Sequence, residues 1–164
     1  MKKLVYLSLG SNLGDREKYL REAISRLGDL GVIRQISAFY ETQPVDVQTD
    51  QPWFLNCALA METELEPSAF LGRMLAVEQS VGRVRTEPKG PRTIDIDILF
   101  FGNDILDTPE LTVPHPAMHQ RRFVLEPLAE IAPAFVHPAL KRTVQELSDS
   151  LPADSGLVKK SPHN

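Results

Sequence analysis

Arg83-Val84-Arg85-Thr86-Glu87-Pro88-Lys89-Gly90-Pro91-Arg92-Thr93-Ile94-Asp95-Ile96-Asp97-Ile98-Leu99-Phe100-Phe101 is the stretch on which the reading of this chain turns. Its second half alternates Ile94, Ile96 and Ile98 with Asp95 and Asp97, the period-two pattern of a strand with one buried face. Side chains on a strand alternate between faces, so the isoleucines share one side and both carboxylates the other, about 6.5–7 Å apart. Like charges that close, on a strand whose other side is buried, are costly unless a cation lies between them. Asp-x-Asp alone is commonly no more than the wet face of a strand. The preceding loop changes that reading, because Arg83, Arg85, Lys89 and Arg92 stand there against one acid, Glu87. A metal-binding pair beside a basic loop is what a polyphosphate needs.

The bulk properties set the limits. A chain of 164 residues suits one domain, expected over 1–151 and followed by a polar, poorly ordered tail over 152–164. Composition is that of a soluble globular protein, 42% hydrophobic and 24% charged, with a net charge of −4. That balance argues against a nucleic-acid binder relying on bulk positive charge, so basic residues matter only where they cluster. The single cysteine, Cys57, cannot form an internal disulfide and suits a reducing, cytoplasmic setting. Lys2-Lys3 and the apolar run after it are too short for a signal peptide, and no stretch is long enough to span a membrane.

Working outward, Leu4 to Leu9 reads as a first strand ending at Gly10. Asp15 caps a helix with Leu20, Ile24, Leu27 and Leu30 at helical spacing, stopped by Gly31. Ile33 to Tyr40 is the second strand, and Glu41 to Trp53 a long polar connection of the kind that carries function. Phe54 to Thr63 is the third strand. Leu55, Cys57, Leu59 and Met61 form its core face, while Phe54, Asn56, Ala58 and Ala60 form a face suited to lining a ligand. Pro67 opens a second helix carrying Phe70, Leu71, Met74, Val77 and Val81, closed by Gly82. The order predicts an α+β fold, a ferredoxin-like βαββαβ plait. Its antiparallel sheet would carry both helices on one face and an active-site cleft on the other. Ile105-Leu106 and Leu111-Thr112-Val113 form an expected C-terminal hairpin, with short helices near Phe123–Ile131 and Val144–Leu151.

No G-x-x-x-x-G-K-[ST] or G-x-G-x-x-G pattern occurs, which excludes the P-loop and the Rossmann fingerprint. Gly10-Ser11-Asn12-Leu13-Gly14-Asp15 reads as a turn and cap near the pocket wall rather than a phosphate cradle. Hard carboxylates without clustered cysteine or histidine favour Mg²⁺ over zinc.

Gly90-Pro91-Arg92-Thr93-Ile94-Asp95-Ile96-Asp97-Ile98-Leu99 closely resembles the signature of the 6-hydroxymethyl-7,8-dihydropterin pyrophosphokinase family of folate biosynthesis. The resemblance runs in order from Leu7 through Gly14, Phe39 to Thr42 and Phe54 to Asn56. It continues over Glu78, Gly82 to Arg85, Leu111 to His115 and Phe123 to Pro133. It implies transfer of the terminal pyrophosphate of ATP to the pterin hydroxymethyl oxygen, with release of AMP. Asp95 and Asp97 match the pair holding two Mg²⁺ ions, and Arg83 and Arg92 the catalytic loop arginines that close over ATP. Glu78, Arg85, Ile98, Thr112, His115 and Arg121 match further nucleotide contacts. Phe54 and Phe123 match the aromatic pair around the pterin, Asn56 the amide reading its edge, and Thr42, Gln43, Val45 and Asp95 the rest of that pocket. Leu75 and Glu110 replace polar or basic residues of well-known members, and Lys89 stands where a stacking aromatic often occurs. The expected enzyme is a single-function monomer with no nucleic-acid or membrane partner. A Mg²⁺-dependent nucleotidyltransferase and an RNA-binding plait are the competing readings. The first normally places its acidic pair close behind Gly-Ser, and the second needs aromatics on its central strands.

Overall fold

The computed structural model describes residues 2–43, 52–82, 93–153, 156 and 158–160. The strands are β1 (Lys3–Ser11), β2 (Val32–Ile36), β3 (Tyr40–Thr42), β4 (Phe54–Thr63), β5 (Asp95–Phe101), β6 (Leu106–Asp107), β7 (Thr112–Val113) and β8 (Val158–Lys160). The helices are α1 (Arg16–Leu27), α2 (Pro67–Ser80), α3 (Arg122–Ile131) and α4 (Val144–Asp149), with a 3-10 turn at Met118–Gln120.

Alternation along the strands builds two cores on opposite faces of one antiparallel sheet. The sheet runs β5-β1-β4-β3-β8, with β2 also paired to β4. Val5, Leu7 and Leu9 of β1 and Leu55, Cys57, Leu59 and Met61 of β4 point to one side. There they meet Leu20, Ala23 and Leu27 of α1 and Phe70, Met74 and Val77 of α2. Each large aliphatic or aromatic side chain buried this way contributes about 1.5–3 kcal/mol. Asp15 caps α1 by accepting from Lys18 N at 3.2 Å, and Pro67 occupies the first turn of α2. The expected helix pair on one face is therefore present.

The opposite face is more covered than expected. Tyr6, Ala58, Ala60, Leu99 and Phe100 pack there against Val124, Leu125 and Leu128 of α3 and Val144 and Leu147 of α4. Ala58 and Ala60 are thus core, not ligand lining; their small size lets α3 approach β4. Asn56 and Phe54, nearer the strand's start, remain outside that cluster.

Several boundaries differ from expectation. The first strand runs through Gly10 to Ser11, because Gly10 pairs with Asn56 and Asp95 on its two sides. Helix α1 stops at Leu27, and Gly31 serves instead as a close passage: a methyl there would collide with the Glu62 carbonyl. The expected Ile33–Tyr40 strand is two strands. Ser37 Oγ accepts from Ala58 N at 2.9 Å, and Ala38 N donates to the Glu130 carboxylate at 3.0 Å, which diverts the ladder between β2 and β3. Glu41 and Thr42 belong to β3, not to the connection after it. The hairpin pairs Leu106 with Val113 and Asp107 with Thr112, leaving Ile105 exposed outside it. Within the tail, Val158–Lys160 pairs with β3 as β8. Among the described residues no helix is long and apolar enough to cross a membrane.

Candidate active site

A row of side chains crosses the sheet at one end. Asn56 on β4 lies opposite Gly10 on β1, and Gly10 lies opposite Asp95 on β5. Ser8 links Ala58 to Asp97 in the same way, one step along. Ile96 and Ile98 point into the core shared with α1 and α2, so Asp95 and Asp97 share the other face, as the alternation predicts.

Strand β5 is an edge strand, and two of its contacts beyond the ladder with β1 bear on the aspartates. The Ile96 N–H, within the chain link between the two aspartates, donates to Glu78 Oε2 on α2 at 2.7 Å. Glu78 is 2% exposed, so this contact is shielded from water. The second contact comes from a bulge: Tyr6 pairs with Phe100 and Leu7 with Ile98, leaving Leu99 as the extra residue. The Leu99 carbonyl accepts from His115 N at 3.0 Å, which brings His115 beside Asp97.

His115 Nδ1 accepts from Ala117 N at 3.2 Å, so the neutral ring carries its proton on Nε2, 3.9 Å from Asp97 Oδ1. Burial, then the neighbouring Arg121, push this imidazole down to about 4, against an upward pull from Asp95. It is therefore a neutral donor at pH 7. Glu78, Asp95, Asp97, Ile98, Thr112 and His115 line one cavity of about 250 Å³ between α2, β5 and β7, with Leu71, Leu75, Glu110 and Leu111 also on its wall. Ile98 contributes only a core-facing side chain at its margin. Leu75 is exposed in that wall and Thr112 is half-buried.

The second cluster lies at the other end of the row. The Thr42 hydroxyl donates to Asn56 Oδ1, and Asn56 Nδ2 donates to the Leu9 carbonyl at 3.1 Å. These bonds define the amide's orientation and leave it one N–H and one oxygen lone pair for another partner. Phe54 begins β4 and is half-buried, and Gln43 follows β3 at the surface. Phe123 lies in the first turn of α3 with the Arg121 guanidinium 5.5 Å from its ring centre. Val45, Arg83, Arg85 and Arg92, together with Lys89, lie outside the described residues. Gly10 belongs to the candidate site through its lack of a side chain, for which a glycine inside an apolar strand, a sign of close approach, is the signal in the sequence.

The donor set fits Mg²⁺. Asp95 and Asp97 offer hard oxygens on one strand face, and among the described residues no group of three His, Cys, Asp or Glu side chains could close a metal shell alone. A substrate's phosphates and water would have to complete it.

A family model described as 7,8-dihydro-6-hydroxymethylpterin-pyrophosphokinase (HPPK) matches residues 6–133. The 2-amino-4-hydroxy-6-hydroxymethyldihydropteridine pyrophosphokinase of Bacillus subtilis is 45% identical over 133 residues, covering 80% of this chain and 79% of that protein. The protein of the same name from Methylorubrum extorquens is 46% identical over 133 residues, covering 80% and 84%. Folic acid synthesis protein fol1 of Schizosaccharomyces pombe is 40% identical over 153 residues; the match takes in 92% of this chain but 21% of the yeast protein. The chain thus spans about a fifth of that longer relative. Among solved structures, Plasmodium falciparum HPPK-DHPS with pteroate has the same fold, with a TM-score of 0.74 at 17% identity over 91% of this chain and 42% of that one.

Proposed function

The chain belongs to the 7,8-dihydro-6-hydroxymethylpterin-pyrophosphokinase family, and we propose that it transfers pyrophosphate from ATP to the hydroxymethyl group of 6-hydroxymethyl-7,8-dihydropterin in folate biosynthesis. The hydroxymethyl oxygen forms a bond to the β-phosphorus, the bond from that phosphorus to the α,β-bridging oxygen breaks, the alcohol proton is released, and AMP leaves. The observation that carries this reading is the row Asn56–Gly10–Asp95, which joins a heterocycle-reading amide to the carboxylate pair.

On this reading the strand order is that of a ferredoxin-like plait, and the cleft opens on the sheet face away from α1 and α2. Phe54 and Phe123 hold the flat pterin ring, with Thr42, Gln43, Val45 and Asn56 around its edge. Asp95 and Asp97 would hold two Mg²⁺ ions, and bound there these would supply positive charge that offsets the polyphosphate and renders the β-phosphorus electrophilic. Arg83, Arg85, Arg92 and Arg121 contact phosphates with their forked donors, and Thr112 and Ile98 border the nucleoside. His115 offers its Nε2 proton to the same region as a neutral donor. Glu78 acts on the ATP side by holding β5 through Ile96 rather than by touching nucleotide. Most of the rate then comes from alignment and charge stabilisation. The enzyme works as a cytoplasmic monomer.

Incubation with ATP, Mg²⁺ and the hydroxymethyl-dihydropterin tests the proposal. AMP and a pyrophosphorylated pterin are expected; release of inorganic pyrophosphate would instead make it a nucleotidyltransferase.

A further inference from the structure

We infer that Arg16 is a positioning residue for the heterocycle slot: from the reverse side of the sheet it clamps β3 to the start of β4, and so sets the gap between Thr42 and Phe54. This rests on the reading of that slot given above. Arg16 is the first residue of α1. A cation is electrostatically disfavoured at a helix N-terminus, so helix formation does not account for it. Its guanidinium makes three bonds. Nη1 donates to Glu41 Oε1 at 2.7 Å and to the Trp53 carbonyl at 2.9 Å, and Nη2 donates to Glu41 Oε2 at 2.8 Å. Asn12 Nδ2 reaches the Pro52 carbonyl at 3.3 Å, so a second side chain from the same turn holds the same incoming segment.

The register shows what this clamp controls. Thr42 pairs with Phe54, and Glu41 with Leu55. Glu41 and Trp53 are therefore the residues immediately before the two slot residues in the chain. Because side chains alternate, Glu41 leaves β3 on the face opposite Thr42, so Arg16 acts without occupying the slot. Thr42 passes the constraint on, since its hydroxyl orients the Asn56 carbonyl. Arg16 and Glu41 side chains are 29% and 22% exposed, which limits competition from water. Only a planar fork can hold a carboxylate with two parallel bonds and a carbonyl as well; a lysine ammonium is a point charge and cannot reproduce that geometry.

The test compares wild type with R16K and R16Q. Calorimetry follows uptake of 6-hydroxymethylpterin at saturating α,β-methylene-ATP and Mg²⁺, and separately uptake of the nucleotide analogue. Both variants should weaken pterin binding by about tenfold while nucleotide binding stays within about twofold. Amide hydrogen exchange across β3 and the start of β4 should accelerate in both. Equal weakening of the two ligands would mark Arg16 as a general stabiliser and overturn the inference, as would unchanged exchange at Thr42 and Phe54. Wild-type protein that takes up no pterin would sink the reading of the slot, whereas faster exchange in R16K would still support the clamp.

Discussion

Gly10 carries no side chain because Asn56 occupies the space above it. A methyl group there would collide with Asn56 Nδ2 and come within 3.3 Å of Phe54 Cδ1. Gly10→Ala should therefore displace the amide from its bonds to Thr42 and Leu9. We expect pterin affinity to fall by about tenfold or more, with a stability loss of about 1–3 kcal/mol; calorimetry and thermal unfolding read the two effects separately. Asp97→Asn tests the carboxylate pair on β5, one register step from that row. Both aspartates sit half-buried on one face, so removing one charge relieves repulsion between them and, on the proposed reading, takes away a hard oxygen ligand for Mg²⁺. AMP production should drop by about a thousandfold with an unchanged or slightly raised melting temperature. Near-normal turnover would remove the metal-pair assignment. These residues were legible in the sequence because strand alternation is local: Asp95 and Asp97, or Phe54 and Asn56, declare a shared face from their spacing alone. Arg16 and Glu41 did not, since they lie 25 residues apart and each reads singly as a surface charge.

The elements depend on contacts that single stretches do not announce. Glu78 on α2 and Ile96 on β5 are 18 positions apart, and the bond between them lies in a wall that mixes apolar side chains such as Leu71 and Leu75 with Asp95, Asp97 and Glu110. Glu78→Leu removes the acceptor and leaves a buried N–H without its carboxylate, an expected cost of about 1–3 kcal/mol. Ile96 should then lose protection against amide exchange while α1 keeps its own; intact Ile96 protection would show that another group holds the edge of β5. At α4 the bond is local. Thr143 Oγ1 accepts from Glu146 N at 3.1 Å, and Thr143 N donates to Glu146 Oε1 at 2.8 Å. Thr143→Ala should lower stability by about 1 kcal/mol in urea denaturation. The same contrast explains which elements the sequence disclosed. β4 and the start of α2 follow from alternation and Pro67. The division of β2 from β3 does not, because it is set by Ser37 and by a carboxylate 92 residues away on α3. The bulge at Leu99, which brings in His115, is equally silent in an unbroken apolar run.

Across the whole molecule the sheet is a partition between two cores, and the candidate row Asn56–Gly10–Asp95 lies outside the second of them. The order of strands and long helices disclosed the first core. It did not disclose that the C-terminal third returns over the other face, because short helices carry too few apolar residues to show which surface they will cover. His137 ties that return in place. It is 4% exposed, its Nδ1 accepts from Ala139 N at 3.2 Å and Leu140 N at 3.0 Å, and its ring meets the edge of Phe100 at 5.5 Å. Phe100 packs against Phe135 with ring centres 4.6 Å apart and planes tilted by 48°, and Tyr6 completes the cluster. Burial, assisted by His119, holds the His137 imidazole below its ordinary value of 6.5. A histidine with a depressed folded value binds its proton more tightly in the unfolded chain. Its contribution to stability is therefore complete above the ordinary value, drains away as pH falls below it, and levels off beneath the folded value. Protonation of Nδ1 also forfeits both accepted bonds. His115 pushes in the same direction, so the informative quantity is a difference between proteins. Urea midpoints for wild type and His137→Gln, taken at about pH 7.5 and about pH 5, should converge as the pH drops, because only the wild type loses the His137 contribution. Parallel losses in the two proteins would mean that this ring is solvated, and that acid loosens the molecule through His115 and not through His137.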